Sequence, residues 1–403
     1  MTIHPANDLG LPDDGRTAVA RYRRGRISAE RGPGLRRTLA RDREVARRAR
    51  KRSEPAMSDT SKGPIFIVGV ARSGTTLLRY MLCSHPNIYV PPESNFIPRF
   101  FRKRPSQPIS RESAVRIVEQ VARYRTFWRD WREEPLEPQA FVDALPVLTP
   151  TALVEALYSR YAHQYGAVRW GDKSTIYAEW VDLFDEMFPT CKIIHIIRDP
   201  RDVTVSSLDA YRGSRFFYMD PYYSARMWSR RIGAGIASGQ RLPPNRYHEI
   251  RYEDLTQDPQ ARVRTLCDFL EEDFHPAMLA PKAEAQKHYH KFGIHQRVRG
   301  EVTSSRTGRW RRDLSAADQR LVQRLVREWL PEFGYEVEDL GRPGVPERIR
   351  AACLRVKFEV VDLARWVLRG IGVFNPARLL LSLPRQRPRI GGSLDTTSGP
   401  RPL

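Results

Sequence analysis

Cysteine is scarce in this sequence and poorly placed for chemistry. The 403 residues include four, Cys83, Cys191, Cys267 and Cys353, with neither a C-x-x-C pair nor the Cys/His spacing of a metal site. Zinc-ribbon and dithiol-redox functions are set aside, and a reducing, cytoplasmic setting is expected. No stretch of about 18 uncharged apolar residues occurs, so the sequence offers no membrane-spanning helix. No apolar leader follows Met1 and no internal repeat is visible, which argues against an export signal and against solenoids. Acidic residues are the minority: 47 Asp and Glu face 68 Lys and Arg, a net charge of +21. Such a charge invites nucleic acid or an anionic membrane as partner, but its distribution argues against nucleic acid. Residues 1–55 carry fourteen Arg and one Lys against seven acids, with almost no apolar periodicity. A disordered basic tail over 1–62 is expected; an arm for polyanions and a translation start at Met57 are the alternatives.

From Gly63 onward, short β-branched runs alternate with amphipathic helical stretches, the pattern of parallel β-α units. The expected fold class is α/β, a P-loop-type, mostly parallel central β-sheet flanked by helices, with a helical insertion and flexible termini. One catalytic domain is expected over 63–343. PIFIVGV is a buried strand, and the helix starting near Ser73 should bury Leu77, Leu78, Met81 and Leu82. CKIIHIIRDP is a second buried strand closed by proline, and RYHEIRYEDL, 246–255, alternates like a third. Between the first two, 110–165 reads as helical and aromatic, with Tyr124, Phe127, Trp128 and Trp131 able to line an acceptor pocket or simply pack. Ser315 is placed as the N-cap of a helix over 315–330. Over 348–374 an amphipathic helix carries Arg355, Lys357, Arg365 and Arg369 before Asn375-Pro376. Packing on the main domain is the simpler expectation for it; peripheral contact with the inner face of a membrane is the sharper one.

The stretch IFIVGVARSGTTLL, 65–78, carries the strongest chemical signal. A strand, a glycine-containing turn and a helix start aim backbone N–H groups and the positive end of a helix dipole at one point, where an anion binds. The lysine of an NTPase loop is missing, since Thr75 stands in its place. Arg72, on the loop itself, supplies the cation, and Ser73, Gly74, Thr75 and Thr76 supply the turn and the donors. In RDPRDVTVSS, Arg198 closes the second strand and Ser206 lies eight residues on, so both can meet one phosphate. A surface ion pair of Arg198 with Asp199 or Asp202 is the plain alternative.

FIVGVARSGTTLLRYMLCSHP, KIIHIIRDPRDVTVSS and SSRTGRW resemble the sulfotransferases that use 3′-phosphoadenosine 5′-phosphosulfate (PAPS), within them the tyrosylprotein-like branch and its bacterial relatives, which carry Arg where cytosolic sulfotransferases carry Lys. The resemblance spans 63–343. It implies that Arg72, Ser73, Gly74, Thr75 and Thr76 hold the 5′-phosphosulfate and that Arg198 and Ser206 hold the 3′-phosphate. A late loop with Ser304, Ser305 and Arg309 would close over the nucleotide. Glu93 falls where such enzymes keep their general base, and Lys173 where they keep a lysine that steadies the transferring group. Glu93 as a loop carboxylate near Arg99, and Lys173 paired with Asp172, are the ordinary alternatives; His85 is a rival base.

The implied reaction is in-line transfer of a sulfuryl group to a hydroxyl of a small molecule, phenol, tyrosine, glycan or lipid. No metal is expected, because a sulfuryl group in transfer carries one negative charge fewer than a phosphoryl group and fixed cations suffice. Two readings compete: an ATP-dependent kinase with Thr76 and Asp199 as its Mg²⁺ groups, and a non-catalytic adaptor that keeps the nucleotide fold.

Overall fold

The computed structural model describes residues 62–102, 106–123, 127–131, 133, 135–211, 219–281 and 303–370. The basic tail before Lys62, Tyr124 and the segment after Gly370 lie outside the described residues.

Five parallel strands form the centre: β1 (Ile65–Gly69), β2 (Ile88–Tyr89), β3 (Arg169–Lys173), β4 (Lys192–Ile197) and β5 (Tyr247–Arg251), in the order β2-β3-β1-β4-β5. β1 is central, covered on both faces, and its five residues are all buried. This is why it reads as an unbroken apolar run. β4, its neighbour, is equally buried. Phe66 stacks on Phe184 with centroids 4.1 Å apart, and truncating such a ring to alanine costs about 3–5 kcal/mol.

β2 and β3 are absent from the sequence-based expectation. β3 is RWGDK, polar on paper, yet every residue in it is buried. The third expected strand is shorter than its alternation suggested: it ends at Arg251, and Tyr252–Gln257 is helical.

Six helices matter for the site: α1 (Thr75–Cys83), α2 (Pro150–His163), α3 (Pro200–Tyr211), α4 (Pro221–Gly239), α5 (Ala316–Val326) and α6 (Val345–Gly370). α1 begins two residues later than expected, and Leu77 on it is only half-buried whereas Leu78, Met81 and Leu82 are in the core. Ser315 caps α5 by accepting from the Asp318 N–H. The insertion is helical as expected, and Phe127 and Trp128 pack edge to face at 5.0 Å within the core cluster. α6 packs on α4 through Phe358, which meets Tyr222 and Tyr223 at 5.8 and 5.6 Å. Its other side faces solvent.

Because the strands are parallel and in register, the carboxyl ends of β1, β3 and β4 open at one edge of the sheet. The connection after β1 runs towards β2 on one side and the connection after β4 towards β5 on the other, so a crevice for a ligand opens between these two adjacent strand ends.

Candidate active site

The β1–α1 loop and the end of β4 meet. Gly69 pairs with Ile196 in the sheet, so Arg198, two residues further, lies against the loop. Its guanidinium donates from Nη1 to the Arg72 carbonyl at 3.0 Å and from Nη2 to the Arg306 carbonyl at 2.6 Å. Its plane sits 4.3 Å from the centre of the Tyr252 ring, at a cation–π distance. Arg72 Nε in turn donates to Ser206 Oγ at 3.1 Å. Arg72, Arg198 and Ser206 are therefore in one place, and Arg198 makes no ion pair with Asp199, whose carboxylate is held by Arg201 at 2.8 Å.

Two backbone conformations shape this loop. Arg72 has φ +75°, a left-handed conformation that costs a non-glycine residue about 1 kcal/mol and marks a functional constraint. Gly74, at φ +95°, caps α1, and a Cβ there would lie 2.5 Å from Tyr252 Cδ2. Only glycine lets the loop close on that ring. Ser73 and Thr75 are buried and Thr76 half-buried at the start of α1. Ser73 Oγ and Arg198 Nε, both buried, have no hydrogen-bond partner among the described residues. Buried polar groups are nearly always paired, so each is a donor position open to a ligand.

The second half of the site is a carboxylate network. Lys173 closes β3 and pairs with Ile67 across the sheet; its Nζ donates to Glu93 Oε2 at 2.9 Å. Ser174 Oγ reaches Glu93 Oε1 at 3.1 Å, and the Thr175 backbone N–H reaches it at 3.4 Å. Burial pushes the Glu93 carboxyl up, but the Lys173 ammonium and these donors outweigh it and hold the group below the usual carboxylate range. Asp172 points elsewhere, as strand alternation requires. Its Oδ2 accepts from Tyr158 and Tyr177, each at 2.6 Å, and its Oδ1 from the Lys173 N–H at 2.7 Å. Burial outweighs those donors, and its carboxyl is pushed up to about 6. The expected alternative, Lys173 paired with Asp172, is thus replaced by Lys173 paired with Glu93.

Tyr211, at the end of α3, lies within electrostatic reach of both halves: burial raises its phenol, the Arg72 charge opposes that and the Glu93 charge adds to it.

The late loop joins the site through its backbone. Asp202 on α3 accepts from the Gly308 N–H at 2.7 Å and the Trp310 N–H at 2.9 Å, which holds the Arg306 carbonyl against Arg198. Of the expected residues there, Ser305 bonds Thr303 at 2.8 Å, the Ser304 carbonyl accepts from Thr307, and Arg309 pairs with Asp209 at 3.2 Å and Asp313 at 2.6 Å. None of these bonds involves Arg72 or Arg198. Tyr252 was missed in the sequence, and Asp202 was named there only as a possible ion-pair partner of Arg198, whereas it holds the late loop. His85 is buried and caps a turn, with Nε2 at 2.9 Å from the Asp273 carbonyl and Nδ1 accepting from the Asn87 N–H.

A parallel α/β sheet here gathers two arginines, a lysine–carboxylate pair and unpartnered buried donors at one edge, which defines an α/β protein with a candidate anion site beside a carboxylate. More narrowly, residues 64–276 match the model of the sulfotransferase family; the chain belongs to that family, as its motifs led us to expect. It is 28% identical over 274 residues to an uncharacterized protein of Aquifex aeolicus (strain VF5), covering 67% of this chain and 32% of that one. It is 24% identical over 216 residues to the protein-tyrosine sulfotransferase of Drosophila melanogaster, covering 53% of this chain and 39% of that one. The chain thus spans about a third of the length of these curated relatives. Among solved structures, the sulfotransferase domain of the Synechococcus PCC 7002 olefin synthase aligns at 26% identity over 68% of this chain and 95% of that one, with a TM-score of 0.45.

Proposed function

We propose that this chain transfers a sulfuryl group from PAPS to a hydroxyl acceptor by in-line displacement. The observation that carries the proposal is the convergence of Arg72 and Arg198 from two adjacent strand ends, with Ser73 Oγ and Arg198 Nε buried and unpartnered beside them. Those donors fit the two phosphate groups of a 3′,5′-substituted adenosine, one at each strand end. The donor, when bound, supplies an activated sulfuryl group on its 5′-phosphate.

The residues divide the work. Arg72, Ser73, Gly74, Thr75 and Thr76 would hold the 5′ end through side-chain and backbone donors at the start of α1, and Arg198 with Ser206 the 3′ end. Ser304, Ser305 and Arg309 belong to the loop proposed to close over the nucleotide, held in place by Asp202. Glu93, ionised at neutral pH, takes the proton of the attacking hydroxyl; a positioned base is worth roughly 10²- to 10⁴-fold. Lys173 keeps that carboxylate ionised and supplies a positive charge at the carboxyl end of β3, where charge develops on the leaving oxygen.

The acceptor class proposed is a hydroxyl of a phenol, tyrosine, carbohydrate or lipid, met in the cytoplasm or at the inner face of the membrane. A kinase reading loses its metal carboxylate, because Asp199 is bonded to Arg201 Nε and Nη2.

Titration calorimetry tests the donor. Adenosine 3′,5′-bisphosphate should bind in the presence of a chelator and more tightly than Mg-ATP; no heat with the bisphosphate, or a preference for Mg-ATP, overturns the proposal. Incubation with labelled donor and a host lipid or lysate extract then identifies the acceptor as the species that gains the mass of SO₃.

A further inference from the structure

Outside the site, α6 presents two apolar stripes. Leu354 and Phe358 turn towards the body of the protein, while Val345, Ile349, Val356, Val360 and Leu363 are 59–68% exposed. Spaced by three, four and seven residues, they fall on one side of the helix, more apolar surface than an isolated exposed side chain explains.

At the amino-terminal end of this helix lies a cavity of about 530 Å³, walled by α5, the connection 337–343 and the first turns of α6. Its acids are already engaged: Glu347 accepts from Arg320 at 2.9 Å, Asp339 from the Gly341 N–H at 3.0 Å, and Glu338 from Arg311. Three of its five arginines are not. Arg324, Arg327 and Arg342 line the cavity without a hydrogen-bond or ion-pair partner among the described residues. All three are exposed at the cavity, and guanidinium is the side chain best suited to a phosphate group.

We infer that the outer stripe of α6 and the arginine cavity at its start form one docking surface for a bilayer containing anionic lipid, with a headgroup phosphate in the cavity. Charge selects this occupant over a second copy of the chain. From Val345 to the end the sequence has eleven Arg and Lys against four Asp and Glu, so two copies meeting along this helix would bring like charges together, whereas an anionic lipid surface offsets them. The sequence beyond Gly370 continues in the same sense, with ARLLLSLP followed by Arg385, Arg387 and Arg389. An apolar stripe flanked by cations is the pattern of a helix lying in the membrane interface. The inference stands apart from sulfuryl transfer, and its test needs no acceptor.

Full-length protein is sedimented at physiological salt with vesicles of phosphatidylcholine alone or of phosphatidylcholine mixed with phosphatidylserine. The wild type should partition onto the mixed vesicles at least tenfold better. Val356→Asp with Val360→Asp should lose most of that partitioning, and Arg324→Ala and Arg342→Ala should each weaken it roughly fivefold, with thermal unfolding unchanged in all. Equal partitioning of the Val356→Asp/Val360→Asp variant and the wild type assigns any binding to the basic residues elsewhere and overturns the inference. Equal affinity for neutral vesicles overturns it too, as does displacement of the wild type by millimolar inorganic phosphate, which assigns the cavity to a soluble anion. A wild-type dimer that those two aspartates dissociate, without vesicle binding, gives the face to a second copy.

Discussion

The two halves of the candidate site are satisfied in opposite ways. Around Arg72 and Arg198 the chain gathers positive charge and leaves buried donors without partners. Around Glu93 it surrounds one carboxylate with an ammonium, a hydroxyl and a backbone N–H. The first half is incomplete without an anion, so ligand binding should stabilise the fold. The second half is electrically complete on its own, so the part proposed for it is to hold a base in position. Affinity should therefore reside in one half and rate in the other.

The sharpest way to break that contrast is Glu93→Gln. Turnover should fall by roughly 10²- to 10⁴-fold while affinity for adenosine 3′,5′-bisphosphate stays within error; equal losses in both would merge the halves. Because the Glu93 carboxyl is held below the ordinary range, wild-type turnover should persist as pH falls through that range and decline only beneath it.

Next in size is the buried carboxyl behind the base. The folded-state pKa of Asp172 is pushed up from 3.8 to about 6, so its contribution to stability is fully present below 3.8 and is lost as pH rises through about 6. That amounts to about 3 kcal/mol. Denaturant unfolding of wild type and Asp172→Asn over this window should differ in slope; parallel curves would mean that the carboxyl titrates normally.

On the other half, Arg198→Ala should cost about 2 kcal/mol of nucleotide affinity, roughly thirtyfold, by calorimetry, with a smaller loss for Arg198→Lys, which cannot reach two carbonyls at once. An Arg198→Ala protein that binds the bisphosphate normally but turns over slowly would invert the proposed division. The smallest effect is expected from Gly74→Ala, where φ +95° and the Tyr252 ring 2.5 Å away oppose a methyl group. At least about 1 kcal/mol of stability should be lost, read as a lower melting temperature; an unchanged melting temperature would mean that the loop relaxes around the methyl group.

Legibility followed burial. β1 and β4 were plain because strands buried on both faces must be apolar throughout. β3 was invisible for the complementary reason: Arg169, Asp172 and Lys173 sit in a buried strand because each finds a partner distant in sequence. Arg169, for example, donates to the carbonyls of Gly63 and Leu270 at 2.8 and 2.6 Å. Propensity and alternation cannot register such pairs. The same blindness left Asp202 as a mere ion-pair candidate, whereas its carboxylate accepts from the Gly308 and Trp310 N–H groups, more than a hundred residues away.

By itself the sequence determined the local elements with a repeating chemical signature: two apolar strands, the glycine turn with Arg72 before a helix start, and the amphipathic period of α6. Each follows from interactions among near neighbours along the chain. The tertiary structure alone decided that Lys173 meets Glu93 rather than Asp172, that Arg198 grips the Arg72 carbonyl, and that Arg72 reaches Ser206. These pairs are separated by 80, 126 and 134 residues, and they form only because parallel strands in register bring their carboxyl ends to one edge of the sheet.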